Sequence, residues 1–172
     1  MRLFISIIFN DNFTDALAAM QDDLMRCGIE GNYTRPENLH MTLAFIGEYD
    51  DPEEIIEIMR KVPLRSFTIR LTDCKPFKDM FFANIEDNDN LNDYVKRLRR
   101  ELVDNDIPFD RKKFLPHITL VRKADRTKDI PFGVFEADME PEKMKVNGIS
   151  LMKSERGKHG MVYTEIGYVS AF

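Results

Sequence analysis

Cysteine and histidine are scarce in this chain and tryptophan is absent: two Cys, three His and no Trp in 172 residues. Cys27 and Cys74 stand far apart and form no metal or redox spacing, so reduced thiols in a cytoplasmic protein are expected. Positive charge is not in excess. The formal net charge of −5 argues against a broad grip on duplex backbone, yet leaves room for a small site holding one phosphate or a strand end. Long apolar runs are missing too. "MRLFISIIFN" is brief and passes at once into polar "DNFTD", so neither a signal peptide nor a membrane span is expected. No tract is low in complexity and no Pro/Ser-rich linker divides the chain, whose length suits one domain with a real core. What remains, 43% hydrophobic and 32% charged residues, is an ordinary globular composition.

Apolar spacing gives a coarse order of elements. "RLFISIIF" (2–9) reads as a buried strand. Phe13, Leu17, Met20, Leu24 and Cys27 recur at helical spacing, and Gly28 supplies a stop. A strand follows over about 39–46, ended by Gly47. "DPEE" at 51–54 starts a helix, with Asp51 as cap, Pro52 in the first turn and Glu54 placed to close a capping box. Ile55, Ile58, Met59 and Val62 form its inner stripe. "SFTIRLT" alternates Phe67, Ile69 and Leu71 as a half-buried strand does, and "MFFANI" (80–85) is a further strand. Leu91, Tyr94, Val95, Leu98 and Leu102 mark an amphipathic helix, and a strand is read near 116–122. "VNGISLMKS" and "MVYTEIGYVS" close the chain as strands joined by the loop "ERGKHG". Strand–helix–strand order in both halves hints at an internal duplication with one cleft between the halves.

The informative feature is a repeat. "HMTL" at 40–43 and "HITL" at 117–120 each place His-x-Thr on a strand. Residues two apart on a strand share a face, so His40 and Thr42 point one way while Met41, Leu43 and Phe45 point into core. His117 and Thr119 repeat this, with Ile118, Leu120 and Val121 as packing residues. One such pair is commonly a satisfied core or surface histidine. Two identical pairs, among only three histidines, ask for a chemical reason. Histidine titrates near neutrality, so one ring can accept a proton while the other donates one. That pairing suits in-line displacement at phosphorus, with the threonines holding nonbridging oxygens where charge builds. Arg122, three residues past Thr119, can help bind the anion if the strand end curls inward. The rival reading, metal ligation, would want a third and fourth ligand, yet no H-x-H or H-E-x-x-H lies nearby and the flanking residues are Thr, and the scheme needs neither metal nor cofactor. His159 in its Gly-flanked loop reads as exposed and incidental. Lys96, Arg97, Arg99 and Arg100 read as a solvated helix face, and "RKK" at 111–113 as the better candidate for attracting substrate.

These stretches, with "RLFISI", "PENLHMTLAFIGE", "KKFLPHITLVRK" and the late "ISLMKSE" and Tyr163, resemble the two-histidine (2H) phosphoesterases. More narrowly they are similar to the LigT-like branch, the 2′-5′ RNA ligases that act as RNA 2′,3′-cyclic phosphodiesterases. The resemblance covers nearly the whole chain. It implies an α+β, bilobal, pseudo-twofold-symmetric fold over residues 1–172, two antiparallel sheets facing across a central cleft with helices outside. It also implies that His40 and His117 are catalytic, that Thr42, Thr119 and Arg122 bind the substrate phosphate, and that a cyclic phosphate is opened to a 2′-phosphate. In this assignment His117 is the base and His40 the acid. The expected partner is RNA with a 2′,3′-cyclic phosphate end, or a small nucleotide such as ADP-ribose cyclic phosphate, met by a cytoplasmic monomer away from membranes. Joining of 2′-5′ linked RNA is the reverse reaction. A module that holds RNA ends without turnover is the reading from another class; loss of a histidine would mark it, and both are present. Tyr33 departs from the family, whose members often carry tryptophan there.

Overall fold

The computed structural model describes residues 1–125 and 142–172. Its first part runs β1 (Arg2–Ile8), α1 (Asp11–Arg26), β2 (Asn32–Tyr33), a 3-10 turn (Pro36–Asn38), β3 (His40–Glu48) and α2 (Pro52–Lys61). Then follow β4 (Phe67–Phe77), β5 (Met80–Ile85), α3 (Asp89–Asp104), β6 (Ile118–Arg122), β7 (Lys143–Val146), β8 (Gly148–Gly157) and β9 (Gly160–Ser170). The strands form two antiparallel sheets, ordered β3-β1-β8-β9 and β2-β6-β5-β4-β7. Each sheet carries one His-x-Thr motif, and the helices pack outside.

Local chemistry accounts for the helices. Oδ1 of Asn10 accepts the Phe13 N–H at 2.8 Å and opens α1, and Gly28, at φ 81°, takes the left-handed conformation that ends it. Asp51 caps α2 through the Glu54 N–H at 3.3 Å. The return half of the capping box does not form, because the Glu54 carboxylate is occupied by the Tyr49 hydroxyl at 2.5 Å. In α3, Leu91, Tyr94, Val95, Leu98 and Leu102 are all buried, each worth about 1.5–3 kcal/mol for the larger apolar side chains.

The two lobes are not the two halves of the sequence. One sheet unites β1 and β3 with β8 and β9 from the far end of the chain, and the other takes the middle. The helices are exchanged as well: α1 packs on β6, whereas α3 packs on β3 and on α2. The expected strand over 146–154 is divided at Asn147. β7 before it pairs with β4, and β8 after it pairs with β1, so the chain changes sheets there. The Tyr168 side chain lies over Gly148, where a Cβ would come 2.2 Å from its hydroxyl oxygen. "ERGKHG" is mostly strand, reduced to a two-residue turn at Lys158 and His159.

β3 passes through Gly47 instead of ending at it, and it is bulged. Thr42 pairs with Ser6 and Ala44 with Ile5, leaving Leu43 unmatched. The bulge changes the phase of the strand. Met41, Leu43, Ala44 and Ile46 face core, and Phe45, expected inside, is only half-buried. β6 is bulged at the matching place: Thr119 pairs with Phe82 and Val121 with Phe81, leaving Leu120 unmatched.

Candidate active site

A cavity of about 80 Å³ is lined by Thr34, His40, Thr42, His117, Thr119, Arg122 and Tyr163. It brings together all five residues singled out from the sequence, drawn from both sheets. Arg122 reaches it for a reason other than a curling strand end. The bulge at Leu120 shifts the alternation by one residue, so Arg122 shares a face with Thr119 although three positions separate them. Thr34 and Tyr163 were not foreseen as lining residues. Thr34 is brought in by β2, too short a strand to show a pattern.

Both imidazoles are held in the same way. Nδ1 of His40 lies 2.6 Å from the Asn38 carbonyl and Nδ1 of His117 lies 2.6 Å from the Leu115 carbonyl. A carbonyl can only accept, so each Nδ1 carries its proton and each Nε2 is the working nitrogen. The Thr42 hydroxyl lies 3.1 Å from Nε2 of His40 and donates to it when the ring is neutral. His40 sits between Phe4, at 4.9 Å between ring centroids, and Tyr163, edge-on at 5.2 Å. Burial in this setting lowers its pKa below the ordinary 6.5; the Asn38 hydrogen bond opposes this, and the charges of Arg122 and His117 add to the lowering. His117 is stacked on Phe82 at 4.2 Å, and Phe77 stacks behind Phe82 at 5.2 Å.

The segment leading to His40 is fastened at several points. The Thr34 hydroxyl donates to the Thr119 carbonyl at 2.9 Å, and the side chains of Arg35 and Asn38 both donate to the Met161 carbonyl, at 2.6 and 3.0 Å. These last two bonds hold β9, and with it Tyr163, against His40. A groove of about 740 Å³ adjoins the cavity and shares Thr42 and His117 with it. Its walls include Phe45, Phe77, Phe82 and Leu115, with Lys75, Lys112 and Lys113 among them. Two of the three "RKK" residues thus face a candidate substrate path, and Arg111 lies instead over the Phe109 ring. Arg99 is not solvated as expected. It is half-buried, with the rings of Phe109 and Phe114 each within 6 Å. His159 is exposed at the β8–β9 turn. Among the described residues no group of three or more His, Cys, Asp or Glu is placed to hold a metal ion, and no helix is long and apolar enough to cross a membrane.

The profile of the 2′-5′ RNA ligase superfamily matches residues 14–158. The chain belongs to that superfamily. Among relatives, an RNA 2′,3′-cyclic phosphodiesterase of Thermotoga maritima is 27% identical over 172 residues, covering 95% of this chain and 91% of that protein. One of Methanocaldococcus jannaschii is 27% identical, covering 96% and 98%. A solved structure from Thermus thermophilus superposes with a TM-score of 0.80 at 26% identity over 99% of this superfamily member and 97% of that chain. The apo form of E. coli LigT, at 21% identity and a TM-score of 0.82, shares the fold over 99% of this chain and 96% of its own.

Proposed function

We propose that this superfamily member is an RNA 2′,3′-cyclic phosphodiesterase, that His40 and His117 are its acid–base pair, and that Thr42, Thr119 and Arg122 bind the phosphate. The observation that carries the reading is the cavity itself, where two imidazoles with fixed Nδ1 protons present Nε2 to one phosphate-sized space beside two hydroxyls and a guanidinium. The activity borne by the Thermotoga and Methanocaldococcus relatives agrees with it.

Water attacks phosphorus in line with the P–O3′ bond. One Nε2 takes the water proton as the new P–O bond forms. The other Nε2–H protonates O3′ as that bond breaks, leaving a 2′-phosphate and a free 3′-hydroxyl. The burial of His40 favours its neutral form and hence the role of base. His117, which opens on the groove, takes the remaining role of acid. This polarity reverses the one inferred from sequence. Thr42, Thr119 and Arg122 meet the charge that grows on the nonbridging oxygens. An RNA 5′-hydroxyl in place of water would be joined through the same steps to give a 2′-5′ linkage.

The groove gives the preceding part of an RNA chain room to lie along Phe77 and Phe82, with Lys112 and Lys113 near its phosphates. Residues 1–172 act as one two-lobed domain, and a single chain supplies both histidines, so the site is complete in a monomer. The test is a short RNA ending in a 2′,3′-cyclic phosphate, incubated with EDTA, with 2′- and 3′-phosphate products resolved. A 2′-phosphate product is expected. A 3′-phosphate product, or turnover that depends on added metal, defeats the reading.

A further inference from the structure

The two motif strands share a defect, and the defect is repaired in the same way on both sides. At each bulge the carbonyl of the unmatched residue takes a side-chain donor from a helix. At the bulge of β3, the Leu43 carbonyl accepts from Nε and Nη2 of Arg99, at 3.1 and 3.0 Å. At the bulge of β6, the Leu120 carbonyl accepts from Nε2 of Gln21 at 2.9 Å and from the Thr34 N–H at 2.9 Å. Each donor has a second partner on the chain that approaches the other histidine. Nη1 of Arg99 donates to the Lys112 carbonyl at 2.7 Å, ahead of His117. Nε2 of Gln21 donates to the Thr34 carbonyl at 2.8 Å, ahead of His40. Backbone bonds run beside both: the Asp110 N–H to the Phe45 carbonyl at 2.8 Å matches Thr34 to Leu120.

We infer that Gln21 and Arg99 are paired positioning residues, each tying the bulge of one His-x-Thr strand to the segment that leads into the other, so that together they fix the two imidazoles about one phosphate. The inference rests on the proposed in-line displacement. Neither side chain lines the phosphate cavity, and Gln21 is 5% exposed, so direct contact with the reacting atoms is not their means of action. The exchange of helices between lobes explains the placement: α1 and α3 each cross to the strand of the opposite motif. Displacement by about 1 Å can reduce a rate by about 10²-fold. The loss should fall mainly on kcat, because both histidines act only as the bonds are changing.

The test uses Gln21→Met and Arg99→Met, which keep length and remove the donors, with Arg99→Lys as the conservative variant and exposed Lys96→Met as control. Arg99 also reaches the groove, so rates are read on a mononucleotide 2′,3′-cyclic phosphate as well as on short RNA. Gln21→Met and Arg99→Met should each lower kcat by about tenfold or more while KM moves by less than about threefold. Arg99→Lys should recover part of the loss, and Lys96→Met should leave both constants unchanged. Amide hydrogen exchange should quicken at Thr34 in Gln21→Met and at Asp110 in Arg99→Met. Should Gln21→Met not fold, Gln21→Asn, too short to span both carbonyls, is read in the same way. Unchanged kcat in a folded Gln21→Met or Arg99→Met protein, or a loss confined to KM, overturns the inference. If the wild-type protein turns over no cyclic phosphate, the activity reading fails; amide exchange then still decides the ties, and unchanged protection at Thr34 and Asp110 overturns them.

Discussion

The assignment of His40 as base is exposed to a direct test, because its surroundings give it a pKa with a definite sign. Burial, aided by the charges of Arg122 and His117, holds His40 below the ordinary 6.5. A base works only when neutral, so the acid limb of kcat/KM should lie below pH 6.5 and fall about tenfold per unit beneath its midpoint. The alkaline limb should report loss of the proton that the acid of the pair delivers. Both limbs belong to the pair as macroscopic constants, since the two rings face one phosphate. Removing either ring should reduce the rate by about 10²–10⁴, equivalent to about 3–5 kcal/mol of barrier. The residual activity carries the decisive information. His40→Ala should keep the alkaline limb and lose the acid one, and His117→Ala should do the reverse. The assay is single-turnover hydrolysis of a 2′,3′-cyclic phosphate RNA from about pH 4.5 to 9, so that product release does not mask chemistry. Loss of the alkaline limb in His40→Ala would restore His117 as base. A flat wild-type profile with chemistry rate-limiting would refute the acid–base pair altogether.

Thr42→Val and Thr119→Val keep strand shape and remove one hydroxyl each, so a reduction of kcat by about 10¹–10³ is expected, smaller than that of either histidine. Phe82→Leu takes the stacked face from beneath His117 and loosens the placement of its ring, so single-turnover kcat should fall by about tenfold or more, which an unchanged rate would contradict. Stability should also fall as the solution is acidified. With the folded pKa of His40 depressed, the unfolded chain takes up its proton first, so the contribution present above pH 6.5 is lost as pH drops through the folded value, and thermal unfolding of His40→Gln should show a weaker dependence over that range. Leu98→Ala, at a site with no exposed surface in α3, should cost about 2–5 kcal/mol in denaturant unfolding, with the pH profile unmoved.

The parts of the molecule legible in the sequence are those governed by a local period. The stripe of α3, the alternation of Phe67, Ile69 and Leu71, and the His-x-Thr faces each follow from a few neighbouring residues, and the structure keeps them. The parts that were not legible are governed by partners distant in the chain. A bulge depends on how two strands register, so nothing in "HMTLAF" announces that Leu43 will be unmatched and Phe45 turned toward the groove. The same holds for Arg122, whose alignment with Thr119 is produced by the bulge at Leu120. Arg99 looked like one of four solvated cations on α3 because charge alone carries no record of a buried carbonyl waiting across the lobe boundary. Gln21 gave even less sign of its place, as a polar residue beside the apolar stripe of α1. The break at Asn147 is of this kind too: "KVNGIS" has the composition of one strand, and only the competition between β4 and β1 for its two ends divides it. Duplicated motifs invite the expectation of duplicated halves. In this chain the duplication is realised through exchange, each half lending a helix and a lead-in segment to the other's motif, and that exchange lets two distant tetrapeptides meet around one cavity.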